Sequence, residues 1–480
     1  MESNIFFLSI DALRQDKCLG KSKTSVTPNL DKLIQNGTFF NQIISAAQIT
    51  VPSLSSIFTG LYPFECTTID SMRGHKGNIF NLNQNLPTFF DDLIKSGYHT
   101  YAIIPEVLKY TNISKLFTNV KFFNSFVTLY DENLGNKILK TLNQDVKSPW
   151  FLFVHLIDLH GNASFHLENN FEKSEENYTG VNQYDKMLSA IDPWLGKIFQ
   201  CINLKNTICV ITSDHGSTFA DFTNEMFNFH LENDRLREFE PGFSFNVAHK
   251  ITTKFPKKLT PLRKKLASIY TKHRNDKVKK KLEPRLDLVE NIDLSTYQKR
   301  LLKKSILYPC DCFDENFRPA LIFLGPDIPS GKIISEQSSS IDLFPTILDL
   351  IKIPTKINHR GKSLVPLLTN TKTELRVLMI DSASSESEAQ YSNTIGLRTK
   401  QYKYFRDRFS EGKNVHLYDL VNDPLEEHNI YQKNLHIIAQ MESELKKIHN
   451  NKDFSFKKTQ NLSDVEIQNA KKLLKDLGYV

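Results

Sequence analysis

No stretch of this sequence approaches the roughly 18 consecutive apolar residues that a membrane-spanning helix requires, and the run from Ile5 to Ile10 is far too short. A soluble protein without a transmembrane segment is the expectation. The amino terminus also lacks the basic start, apolar stretch and small-residue cleavage site of a signal peptide, because Asn4 leads directly into what reads as a core strand. A cytoplasmic location is therefore expected. Cysteine is sparse: Cys18, Cys66, Cys201, Cys209, Cys310 and Cys312 form no paired framework, which suits a reducing compartment. Cys310-Asp311-Cys312 has no second pair of thiols to complete a zinc site.

What the sequence does have is material for a large core. With 40% hydrophobic and 24% charged residues in 480, whole-chain disorder is excluded and one large α/β domain with a smaller appendage is expected. Short apolar runs (Ile5 to Ile10, Tyr98 to Ile104, Phe151 to Ile157, Thr207 to Thr212 and Ala320 to Leu324) end abruptly in polar residues. Runs of this length, separated by helical stretches, fit strands buried on both faces of a mostly parallel sheet. One intervening helix is legible from Thr27 as N-cap, Pro28 in the first position, Leu30, Leu33 and Ile34 as apolar face and Gly37 as stop. The fold class is thus α/β, a three-layer α/β/α sandwich. Tyr402 to Phe405 and His416 to Leu420 predict a small antiparallel sheet followed by helices. The expected division is a catalytic domain over 1–375, a basic insertion at about 220–315 within it, and a carboxy-terminal α+β subdomain over 376–480.

That insertion carries the positive charge of the chain. From Lys250 to Lys304 there are 18 Lys and Arg against five Asp and Glu, an excess of 13 in a chain of net charge +7, so the remainder is net negative by six. A solvated helical insertion explains this. So does a cap that attracts an anionic substrate such as a phosphorylated glycan, a nucleotide or a lipid headgroup surface. No nucleic-acid reader motif accompanies the charge, and no nucleic-acid partner is expected.

Three pieces carry chemistry. Asp11 follows the first strand, at the carboxyl end where open α/β sheets place their ligands. Asp214-His215 follows another strand, and a carboxylate beside an imidazole makes a good pair of ligands for a divalent ion, although a turn with an Asp cap looks the same. Thr50-Val51-Pro52-Ser53 opens the helical stretch Leu54 to Gly60. A hydroxyl at such a helix start sits where free N–H groups favour a tetrahedral anion, or simply serves as a cap.

In combination and order these pieces resemble the sulfatases of the alkaline phosphatase superfamily. Asn4 to Arg14, Thr27 to Leu33, Thr50-Val51-Pro52-Ser53 and Thr59-Gly60-Leu61-Tyr62-Pro63 are similar to the amino-terminal signature of that family. Phe153 to His160 resembles its strand ending in Asp-x-His, and Ser213-Asp214-His215-Gly216 its second metal motif. Ser340 to Leu348, Gly361 to Leu364, Leu397-Arg398-Thr399, Leu417 to Leu420 and Asp423-Pro424 resemble its distal and carboxy-terminal elements. The resemblance implies that Asp11, Thr50, Asp214 and His215 hold one divalent cation (Mn, Zn, Mg or Ca) and that Thr50 and His160 are catalytic. His155 reads as a core residue of its strand, and His230 and His249 lie in or beside the insertion without a supported role.

The departures from that family point to the chemistry. Usual sulfatases carry Cys or Ser at the Thr50 position, Pro at +2 and Arg at +4, and oxidise the first residue to formylglycine. Here +4 is Leu54, and threonine would give a ketone, so no formylglycine is expected. After Gly97-Tyr98-His99-Thr100 the sulfate-gripping Lys-x-His of many sulfatases is replaced by Ile104-Pro105-Glu106-Val107. Asp158 and His160 do not supply a second zinc set. The resulting expectation is a hydrolase or phosphotransferase that acts on phosphate mono- or diesters through a phospho-threonine. A sulfuric ester hydrolase with an unconventional nucleophile and a catalytically silent polyanion-binding relative are the alternatives.

Overall fold

A computed structural model of the chain describes residues 3–71, 78–124, 128–129, 133–160, 179–237, 280–307, 311–371, 376–382 and 393–450. Most of the basic segment, together with His249 and Cys310, lies outside the described residues. The chain divides into two compact units, one of Met1–Met72, Lys76–Asp221 and Cys310–Val480, the other of Arg73–His75 with Phe222–Pro309.

The larger unit is organised by an eight-stranded sheet. Its strands are β1 (Asn4–Ile10), β2 (Thr38–Phe40), β3 (His99–Pro105), β4 (Asn119–Phe123), β5 (Trp150–Leu156), β6 (Thr207–Thr212), β7 (Leu321–Leu324) and β8 (Lys332–Ile334). They lie in the order β8-β2-β7-β6-β1-β5-β3-β4, with β7 antiparallel to both neighbours and the other pairings parallel. The five apolar runs of the sequence are β1, β3, β5, β6 and β7, to within a residue at each end. Every residue of β1, β5 and β6 is buried, because both faces of the sheet are covered. The two faces show in the alternation along β1. Phe6, Leu8 and Ile10 enter one core with Leu30 and Leu33 of α1 (Pro28–Asn36). Ile5 and Phe7 enter the other with Leu54, Ile57 and Phe58 of α2 (Thr50–Thr59) and Phe89 and Phe90 of α3 (Phe89–Lys95). The sandwich therefore has three layers, as a period of two along a doubly covered strand dictates.

One local expectation is corrected. Thr27 stands at the N-cap position of α1, but its hydroxyl makes no capping bond to the helix backbone. The free N–H groups of Asn29 and Leu30 donate instead to the Asp192 carboxylate, at 3.0 and 2.8 Å, from α4 (Gln183–Gln200). A buried carboxylate on a packed neighbour satisfies two donors at once and suits the helix dipole better than a hydroxyl.

In the smaller unit, α5 (Asn224–Arg237) and α6 (Thr296–Leu307) pack together. Arg285 joins Glu232 at 2.6 Å and Asn233 at 2.8 Å, and lies over the Phe229 ring. His230 is buried there.

Back in the larger unit, α7 (Leu343–Leu350) adds Phe344 and Ile347 to the second core. A four-stranded antiparallel sheet follows, made of β9 (Leu378–Asp381), β10 (Thr394–Arg398), β11 (Tyr402–Asp407) and β12 (His416–Asp419). Met441 and Leu445 of α8 (Leu435–Asn450) pack with Met379, Leu397, Tyr404 and Leu417 of that sheet. Its other side packs through Ile380 and Phe405 on Ile44 and Phe317. No helix among the described residues is long and apolar enough to cross a membrane.

Candidate metal centre and active site

β1 and β6 are neighbours and parallel, so the residues that follow them emerge at one edge of the sheet. Asp11 comes directly after β1 and is followed by Ala12 with a φ of 64°. A left-handed alanine is strained by roughly 1 kcal/mol or more, and here it is clamped. The Tyr184 hydroxyl donates to the Ala12 carbonyl at 2.9 Å and accepts from the Arg14 N–H at 3.1 Å. After β6, the Ser213 hydroxyl accepts from the Leu13 N–H at 3.0 Å and lies 3.1 Å from Asp214 Oδ1. These contacts tie the two strand ends together.

Ligating atoms of Asp11, Asp214 and His215 consequently lie within 4.8 Å of one another. His215 Nε2 is 3.9 Å from Asp11 Oδ1 and 3.4 Å from Asp214 Oδ2. Its Nδ1 is 2.7 Å from the Gly216 carbonyl, a contact that places the proton on Nδ1 and leaves the Nε2 lone pair free. Asp11 Oδ1 and Asp214 Oδ2 are buried oxygens without a hydrogen-bond partner. Two orphaned carboxylate oxygens beside a free imidazole nitrogen are costly unless something positive meets them. The donor set fits a divalent cation, with oxygen and nitrogen ligands that several metals accept.

Thr50 is the first residue of α2, and its hydroxyl lies 3.5 Å from Asp11 Oδ2. The helix is held in place from both ends. Phe58 packs edge-on against Phe7 and Phe153 of the sheet, at 6.5 and 5.3 Å between ring centres. Near its start, Ser53 Oγ donates to the Asp214 carbonyl at 2.5 Å, and Ser45 Oγ lies 2.7 Å from the same carbonyl. Gly60 ends the helix in a left-handed conformation, its N–H donating to the Ser56 carbonyl at 2.9 Å.

The electrostatics follow from burial and neighbours. Burial disfavours the Asp11 charge, but the nearby imidazole of His155 and the fields of His160 and His215 outweigh it and hold Asp11 below the usual carboxylate range. Burial alone would lower the His215 pKa, yet Asp214 and Asp11 raise it. Burial lowers that of His160 despite the Asp11 charge, which keeps its imidazole neutral at neutral pH.

All five residues singled out in the sequence, Asp11, Thr50, His160, Asp214 and His215, thus fall at one sheet edge. His155, set aside as a core residue, is indeed buried but also belongs here. Its Nδ1 is 3.0 Å from Ser9 Oγ and its Nε2 3.7 Å from Asp11 Oδ2. An imidazole at the carboxyl end of an otherwise apolar strand was the available signal. Asp158 is occupied structurally, with Oδ1 accepting from the Leu129 N–H at 3.0 Å. Ser45 carried no signal, since a serine acting on a distant backbone looks like any other.

Comparison with known proteins agrees with this architecture. The sulfatase family profile matches residues 3–353, and that of the N-sulphoglucosamine sulphohydrolase C-terminal region matches residues 308–451. Human arylsulfatase K is 30% identical over 186 residues, which is 34% of this chain and 34% of that protein. The chain therefore aligns with only about a third of that curated relative. The Delta 4,5-hexuronate-2-O-sulfatase of Bacteroides thetaiotaomicron is 23% identical over 89% of this chain and 84% of its own length. The crystal structure of the phosphonate monoester hydrolase of Agrobacterium radiobacter shares the fold at a TM-score of 0.59 and 15% identity, covering 93% of this chain and 95% of that one. With the profile match extending over most of its length, from the first strand to beyond α7, the chain belongs to the sulfatase family of the alkaline phosphatase superfamily.

Proposed function

We propose that this chain is a metal-dependent hydrolase or transferase of phosphate esters that works through Thr50. The observation that carries the reading is the Thr50 hydroxyl at the head of α2, 3.5 Å from Asp11 and beside the orphaned oxygens of Asp11 and Asp214. Asp11, Asp214, His215 and Thr50 would hold the cation. A bound divalent ion supplies a lowered hydroxyl pKa and polarises a nonbridging oxygen of the ester.

The residues themselves do the rest. Asp11 Oδ2 accepts the Thr50 hydrogen bond and orients Oγ1. Attack by Oγ1 forms an O–P bond as the bond to the leaving alcohol breaks, and the Thr50 proton leaves with the departing oxygen or with solvent. His160, neutral through burial, offers a ring N–H to the transferred group. Water or an acceptor alcohol then attacks phosphorus and restores threonine. A threonine sulfate lacks the hemiacetal exit of a formylglycine hydrate, and this favours phosphorus over sulfur. Leu54, at the place of the usual arginine, is fully buried in the core and brings no charge to the site.

The second reading is a sulfuric ester hydrolase with an unconventional nucleophile, acting on an anionic glycan. Its support is the naming of arylsulfatase K and the hexuronate-2-O-sulfatase for sulfate esters. Aryl phosphate mono- and diesters assayed beside an aryl sulfate separate the two. Phosphate turnover, its loss in Thr50→Ala by about a thousandfold or more, and an adduct of phosphate mass on Thr50 in quenched samples are expected. Turnover of sulfate alone establishes the second reading, and wild-type rates in Thr50→Ala remove Thr50 from the mechanism.

A further inference from the structure

A cavity of about 410 Å³ opens in the larger unit where the end of β2, the segment before β7 and the β10–β11 turn meet. Three cations line it, Arg318, Arg398 and Lys400, against one carboxylate, Asp314. That carboxylate is already used. Arg398 grips it in a fork at 3.0 and 2.8 Å, and Lys403 joins it at 2.7 Å. Lys403 in turn is shared with Glu426 at 3.0 Å.

Arg318 is the group left over. Its Nε is buried without a hydrogen-bond partner, and no carboxylate among the described residues comes within ion-pairing distance of its guanidinium. Its one polar contact among the described residues is a long one, Nη2 to the Asn41 carbonyl at 3.5 Å. Asp16, whose field also reaches it, is committed to Arg14 at 2.7 Å. Burial accordingly depresses the Arg318 pKa despite the Asp314 charge. The Asn41 side-chain oxygen lining the same cavity is also buried without a partner. A half-turn of that amide offers two more donors instead. A half-buried guanidinium with a buried, unused N–H, a second cation at Lys400 with no carboxylate partner among the described residues and a reversible amide form the donor set that oxyanions select.

We propose that this cavity is an oxyanion-binding site, taking a sulfate, phosphate or carboxylate group on Arg318 and Lys400, separate from the metal centre. It shares the carboxyl edge of the sheet with that centre. Arg318 stands two residues after Asn316, whose carbonyl accepts the Gly216 N–H at 2.9 Å. The site is independent of which ester the metal centre cleaves.

Equilibrium dialysis of the full chain with labelled inorganic sulfate, inorganic phosphate and glucuronate tests it and ranks the three sources of oxyanion. Chelator-stripped protein and Asp214→Asn remove the metal centre from the measurement. Saturable binding of at least one probe is expected to survive both. It should weaken by about tenfold or more in Arg318→Gln, the effect of losing a charge-assisted bond, and by a smaller factor in Lys400→Glu. Should Arg318→Gln fail to fold, Lys400→Glu decides, because that side chain is exposed on a turn. The proposal is overturned if the wild type shows no saturable binding, if stripping the metal or Asp214→Asn abolishes it, or if the folded variants bind like the wild type.

Discussion

Ser9 and His155 face each other across the β1–β5 ladder, with Oγ and Nδ1 3.0 Å apart, and the far nitrogen of that ring lies 3.7 Å from Asp11 Oδ2. The serine fixes the ring, and the ring fixes one oxygen of the carboxylate. Asp11 thereby keeps its other oxygen for the centre it forms with Asp214 and His215. Such outer partners typically affect metal affinity by roughly 10- to 100-fold.

His155→Ala is therefore expected to weaken metal binding by about that factor, while His155→Gln, which can still reach Asp11 with an N–H, restores part of it. Competition titration against a chromophoric chelator measures both. Unchanged affinity in the alanine variant would reduce His155 to core packing.

Removal of the metal should lower the melting temperature, because a ligand that binds only the folded state at 100 times its Kd adds about 2.7 kcal/mol. Purified protein is expected to carry the ion in a stoichiometric amount by elemental analysis. Asp214→Asn should lose it, and chelator should then no longer shift the melting curve. A chelator-induced shift of wild-type size in Asp214→Asn would place the ion elsewhere.

Stability should also depend on pH through Asp314. Burial disfavours its charge, but Arg398 and Lys403 more than offset that and hold its carboxyl well below the usual range. A depressed carboxylate stabilises the fold above the ordinary Asp pKa, and that contribution disappears as pH falls from there through the folded value. Urea unfolding followed from about pH 4, the ordinary Asp value, down to more strongly acidic pH should show a loss of stability that Asp314→Asn lacks. At neutral pH, Asp314→Asn should cost about 3–5 kcal/mol, since it leaves Arg398 and Lys403 without their shared buried partner.

Gly216 stands where a side chain has no room. A Cβ there would lie 2.3 Å from the Glu315 carbonyl oxygen, so Gly216→Ala must push the two backbones apart next to His215. A destabilisation of about 1–3 kcal/mol is expected, together with weaker metal binding. A melting temperature and metal content equal to the wild type would contradict this.

Much of the candidate site was legible because it is written locally. Asp11 and Asp214-His215 each follow an unbroken apolar run, and a strand end in a parallel sheet is a place where ligands gather. Thr50 precedes a proline that a helix accepts in its first turn, and α2 begins there. The long strands were equally plain, but β2 and β8 have three residues each and β4 is only partly buried at the sheet's edge. Elements that short or that exposed leave no periodicity to read.

By itself the sequence determined that the long apolar runs would be strands, which residues would stand at their carboxyl ends, and that position 50 would present a secondary alcohol without a neighbouring arginine. Those properties depend on residue type and short-range order. Only the tertiary structure decided that Asp192 caps α1, that His155 braces Asp11 from a distant strand, and that Arg318 is left with an unused donor. Each of these is a matter of which distant group arrives within about 3 to 4 Å of a buried polar atom, and packing sets that distance.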